Sequence, residues 1–82
     1  MSETLGQAIL RGRCERELSL QKLADAAWIT KAHAWDLETG RSTNPTAKTI
    51  IRLSAALGIP LHDMIDAAAE TYQQERLLTG KP

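Results

Sequence analysis

The chain has 82 residues, with ten Lys and Arg against ten Asp and Glu, a formal net charge of zero and 43% hydrophobic residues. That length is enough for one small domain with a modest core and leaves no room for a second. No apolar run approaches the roughly 20 residues of a bilayer-spanning helix, and the single cysteine, Cys14, excludes an internal disulfide framework.

The opening MSETLGQAIL lacks the basic-then-apolar layout of a secretion signal, which together with the lone thiol predicts a reducing cytoplasm. No strand-like alternation occurs, so the predicted class is all-α. Thr4 and Gln7 form a T-x-x-Q capping box for a first helix to about Glu15, with Leu5, Ile9 and Gly12 inward. Ser19 caps a second helix whose inward residues Leu20, Leu23, Ala24 and Ala27 follow the i, i+3, i+4, i+7 rule of one buried stripe. The small Ala24 lets the next helix cross closely. After a short break Thr30 caps a third helix from Lys31 to about Thr39, with Ala34 and Leu37 inward and Gly40 as a left-handed stop. Thr46, after Asn44 and Pro45, caps a fourth helix with the stripe Ile50, Leu53, Ser54 and Leu57, ended by Gly58. Pro60 begins a fifth helix with Leu61, Met64, Ile65 and Ala68 on one side. Beyond it AAETYQQERLL stays helix-favouring, with Tyr72, Leu77 and Leu78 as sparse apolar points. Residues 1–69 are thus expected to form the domain and 70–82 a helical extension, either frayed or a surface for dimerisation through Ala68, Tyr72, Leu77 and Leu78.

Residues 18–40, LSLQKLADAAWITKAHAWDLETG, carry the functional signal. They read as two short helices joined by a tight turn, the layout of a helix-turn-helix motif over 20–39 whose second helix enters the DNA major groove. With Ala34 and Leu37 inward, that helix leaves Lys31, Ala32, His33, Trp35 and Asp36 outside near its amino end. The blocks LGQAIL with Arg13, LSLQKLA, LETG, NPTAKTIIRLSAALGI and LHDMI, in this order and spacing, resemble the lambda-repressor-like, or Cro/C1-type, family of bacterial and phage regulators over residues 4–66.

The resemblance implies a compact five-helix domain that binds double-stranded DNA, as a sequence-specific regulator and most often a repressor. It places base reading at Lys31, Ala32 and Asp36, and sometimes at Trp35. Lys31 can donate to guanine O6 and N7, Ala32 can touch a thymine methyl, and Asp36 can accept from cytosine N4 or instead orient Lys31 or Arg41. Backbone contacts are expected from Gln21, Thr30, His33 and the loop GRSTN, through the Gly40 and Arg41 amides, the Ser42 and Thr43 hydroxyls and Asn44. The resemblance also implies a partly buried salt bridge between Arg13 and Glu38, which would make Glu38 structural.

Charge is polarised despite the zero total. Residues 28–59 hold four cations against two acids, a net of +2, and residues 60–82 hold two cations against four acids, a net of −2. This fits a basic DNA face opposite an acidic tail, and also charges scattered on a solvated surface. Cys14, His33 and His62 are too isolated for a zinc set, and no catalytic constellation is visible, so neither enzyme activity, metal, cofactor nor small-molecule ligand is expected. Two readings remain. One is a homodimeric regulator on a pseudo-palindromic operator, and the other is the same fold used as a protein-interaction module, with Trp28, Trp35 and the acids forming the contact surface.

Four positions depart from the family pattern. Trp28 stands at the turn where glycine is usual, Ala34 replaces a branched aliphatic, Leu20 a polar residue and Glu17 a helix-ending glycine. The expected compensations are the Trp28 indole lying over the space left by Ala34, and Gln21 making the hydrogen bond to phosphate that Leu20 cannot.

Overall fold

Four hydroxyl side chains start four helices, each accepting from the backbone amide three residues on: Thr4 from Gln7, Ser19 from Lys22, Thr30 from His33 and Thr46 from Thr49. The computed structural model describes residues 3–42 and 45–79, with side chains of the last helix up to Gln73. The helices so started are α1 (Leu5–Glu15), α2 (Leu20–Ala27), α3 (Lys31–Thr39) and α4 (Ala47–Leu57), and α5 (Leu61–Thr79) follows Pro60. No strand occurs among the described residues.

The four short helices stop in one way, with a left-handed residue after the last turn. Its successor's amide then reaches back five positions, as in Leu18 to Arg13, Ile29 to Ala24, Arg41 to Asp36 and Ile59 to Ser54. Glycine takes the left-handed conformation at Gly40 (φ 82°) and Gly58 (φ 66°), whereas Glu17 (φ 54°) and Trp28 (φ 61°) adopt it with a side chain. At Gly58 a side chain would also collide with the Arg16 guanidinium, whose Nε donates to the Leu57 carbonyl at 2.9 Å.

The core is built from Leu5, Ile9, Leu23, Leu37, Leu53 and Met64, all essentially inaccessible, filled in by Ala8, Ala24, Ala27, Ala34 and Ala67. α2 packs on α3 and α4, α1 on α3 and α5, and α4 on α5. Ala24 is fully buried, and Leu20 is only half-buried.

The face of α5 differs from the expected one. Met64 and Ala67 are buried, while Leu61 (40%) and Ile65 (51%) are exposed. The cause is Thr71. Its Oγ1 accepts from the Leu5 amide at 2.8 Å and so turns the 64–67–71 face toward α1. α5 runs unbroken through position 69, so the segment packed against α1 extends past the expected end of the domain.

Candidate nucleic-acid interface

α3 is held in place from below. Gly6 of α1 lies so close to it that a Cβ there would stand 2.5 Å from the Glu38 carbonyl oxygen, an approach no other residue permits. Beside this crossing Arg13 Nε donates to Glu38 Oε1 at 2.7 Å and Arg13 Nη2 to Glu38 Oε2 at 3.3 Å, while Nη1 donates to the Leu18 carbonyl at 3.1 Å. The Glu38 side chain is 5% exposed. Its hydrogen bonds raise the Arg13 guanidinium above its ordinary range. Glu38 is therefore committed to joining α1 to α3.

The other face of α3 points away from the core. Lys31 and Ala32 are exposed, His33 is half-buried, and Trp35 is 49% exposed. Asp36 lies 4.0 Å from Arg41 Nε, which decides its side-chain partner in favour of Arg41 over Lys31. Thr39 Oγ1 donates to the Trp35 carbonyl at 2.7 Å, tightening the last turn.

The loop after α3 corrects one expectation. The Gly40 amide donates to the Leu37 carbonyl at 3.4 Å and the Arg41 amide to the Asp36 carbonyl at 2.8 Å, so both are used to end the helix and neither is available to clamp phosphate. The Ser42 amide joins them on Asp36 at 3.0 Å. What the loop offers outward is the Arg41 side chain, 75% exposed, and half-buried Ser42. Thr43 and Asn44 lie outside the described residues. On α2, Gln21 is exposed and its amide donates to Asp25 Oδ1 at 2.9 Å.

Trp28 corrects a second. The residue is 77% exposed and its indole fills no interior volume, while Ala34 itself is 1% exposed. A left-handed residue at the turn directs its Cβ outward, and there the Arg52 guanidinium lies 5.0 Å from the ring centroid. That contact offsets about 0.5–1 kcal/mol of the roughly 1–2 kcal/mol that a non-glycine residue costs in this conformation. The sequence marks Trp28 as unusual but carries no signal for Arg52, 24 positions away on α4. Lys31 and Lys48 are also exposed.

On α5 the outward stripe is Leu61, Ile65, half-buried Ala68 and Tyr72, the last 55% exposed. The side chains of Leu77 and Leu78 lie outside the described residues. Asp63 and Asp66 lie on the other flank, around a shallow hollow with Glu3 and Arg11. There Arg11 hydrogen bonds hold the Glu3 carboxyl below the usual carboxylate range. Among the described residues no group of three His, Cys, Asp or Glu could hold a metal, and no helix is long and apolar enough to cross a membrane.

Known proteins resemble this chain in sequence and in fold. A family model described as helix-turn-helix matches residues 9–64. The chain is 33% identical over 73 residues to the HTH-type transcriptional regulator SinR of Bacillus subtilis, covering 89% of this chain and 66% of SinR. It is 43% identical over 54 residues to the HTH-type transcriptional regulator DdrOP3 of Deinococcus deserti, covering 66% of this chain and 41% of that protein. It therefore spans a little under two thirds of SinR and less than half of DdrOP3. The fold is similar to the crystal structure of the master regulator for biofilm formation SinR in complex with DNA, with TM-score 0.70, 31% identity, and coverage of 76% of this chain and 98% of that one. It is equally similar to the clp gene regulator ClgR from Corynebacterium glutamicum, with TM-score 0.70, 27% identity, and coverage of 94% and 82%. With the model matched from α1 into α5, this chain belongs to the Cro/C1-type helix-turn-helix family.

Proposed function

We propose that the chain is a sequence-specific DNA-binding transcriptional regulator of the cytoplasm, a repressor that grips a pseudo-palindromic operator as a homodimer with α3 in the major groove. One observation carries the reading. α3 is fastened to α1 by Gly6 and the Arg13–Glu38 pair while Lys31, Ala32, Trp35 and Asp36 stand clear on its other face. The similarity to SinR, whose structure is a complex with DNA, supports it. Lys31 donates to guanine, Ala32 meets a thymine methyl and Trp35 packs on sugar and base edges, while the Thr30 hydroxyl, Gln21, His33, Arg41 and Ser42 face the backbone.

Selection from random duplexes, followed by binding to the selected site across a salt series, tests this. Lys31→Ala relaxes preference at one base pair at a cost of about 1–3 kcal/mol, whereas Arg41→Ala lowers the salt slope on the selected site by about one. A folded wild type that selects no site overturns the reading and makes exposed Trp28 and Trp35 a protein-binding face.

The dimer is proposed to form through α5. Leu61, Ile65, Ala68 and Tyr72 follow an i, i+4, i+7, i+11 stripe, the spacing at which two like helices pack. Asp63 and Asp66 sit on the opposite flank, so a two-fold pairing brings neither next to its own copy. Light scattering at tens of micromolar is expected to give a dimer mass for the wild type and a monomer mass for Ile65→Glu. A monomeric wild type, with or without operator, refutes it.

A further inference from the structure

Asp36 is an acid on the face proposed to meet a polyanion, and its surroundings show what it does there. Its carbonyl oxygen accepts from both the Arg41 and the Ser42 amides, which fixes the start of Arg41 beside it. Its carboxylate then stands 4.0 Å from Arg41 Nε, with 43% of the Asp36 side chain and 75% of the Arg41 side chain exposed. The pair is held by the backbone yet open to solvent, so its charges can exchange partners at little cost.

We infer that Asp36 is a specificity filter that competes with phosphate for Arg41, an inference that rests on the DNA-binding reading. On a random duplex the groove presents mostly acceptors to the carboxylate, guanine O6 and N7, adenine N7 and thymine O4, against one amino donor per base pair, cytosine N4 or adenine N6, whose position depends on sequence, and beside them stand the phosphates themselves. Asp36 then keeps Arg41, and the neutral pair releases no counterion. Where the amino group of a cytosine falls within reach, the carboxylate gains a donor and Arg41 passes to a phosphate. Cognate and random DNA then differ by one phosphate contact as well as by base contacts. Arg41 is the positioned cation and Asp36 the residue that positions it.

The test is a double-mutant cycle read by fluorescence anisotropy on the selected site and on a scrambled duplex, across a salt series, with melting curves confirming that each variant folds. Asp36→Asn keeps the carbonyl and removes the charge. It is expected to tighten binding to the scrambled duplex about fivefold, the equivalent of about 1 kcal/mol. The salt slope there steepens by about 0.9, one phosphate's worth. Adding Arg41→Ala abolishes the steeper slope, whereas Arg41→Ala alone leaves the scrambled slope nearly unchanged, although it weakens scrambled binding by leaving the Asp36 carboxylate unpaired beside the phosphates. Scrambled affinity unaltered by Asp36→Asn, or a cycle in which the two changes in slope simply add, overturns the filter while the selected site keeps the DNA reading intact. A wild type that selects no site removes both.

Discussion

Replacing Arg13 by alanine strips Glu38 of two charge-assisted hydrogen bonds, at 2.7 and 3.3 Å, and leaves the Leu18 carbonyl without its 3.1 Å donor. The carboxylate left behind is only 5% exposed, so water makes up for little of that interaction. Breaking a buried pair from one side costs about 3–5 kcal/mol, and the 22% exposure of the Arg13 side chain argues for somewhat less than that, about 2–4 kcal/mol. A domain of this size has a total stability on the order of 4–12 kcal/mol, so the loss is a large share of it. At about 4–8 °C per kcal/mol, Tm falls by at least about 8 °C. Thermal and urea unfolding followed by circular dichroism measure it. The control is Arg13→Leu with Glu38→Leu, which removes both charges together and is expected to destabilise less than Arg13→Ala alone. A melting curve for Arg13→Ala within about 2 °C of wild type would refute the reasoning, because it requires both charges to be solvated already.

Gly6→Ala places a methyl 2.5 Å from the Glu38 carbonyl and 3.1 Å from that of Leu37, forcing α1 off α3. A loss of about 1–3 kcal/mol in urea unfolding is expected, and a neutral result would show that the crossing can relax. Glu17→Gly relieves a left-handed residue at φ 54° and should stabilise by about 0.5–1 kcal/mol. Trp28→Gly relieves the same conformation but gives up the Arg52 contact, so its gain is expected to be smaller; an equal gain would show that the cation over the indole contributes nothing.

Much of this fold can be read from local chemistry. Thr4, Ser19, Thr30 and Thr46 mark helix starts because a hydroxyl there satisfies an amide the helix cannot, and Gly40 and Gly58 mark ends because they take φ > 0 without strain. What could not be read depends on distant partners. α5 carries two overlapping apolar faces, 61–65–68 and 64–67, and the choice between them falls to Thr71 meeting Leu5, 66 positions away. The partner of the outward Trp28, Arg52, is likewise distant in sequence. The outward face of α3 was legible, since burying Ala34 and Leu37 leaves Lys31, Ala32 and Trp35 outside. The loop amides were not, because the family resemblance says where a loop lies but not which carbonyls its amides already serve.

The Thr71–Leu5 hydrogen bond has a mechanical side. It couples α5 to the first turn of α1, and α1 in turn grips α3 through Gly6 and Arg13. Through α1, then, α5 is joined to α3 by one hydrogen bond at its near side and by a close crossing and an ion pair at the other. In the proposed dimer these joints would set the two α3 helices apart like the jaws of a fixed-gauge caliper, accepting half-sites at one spacing and penalising an inserted base pair by more than the contacts it displaces.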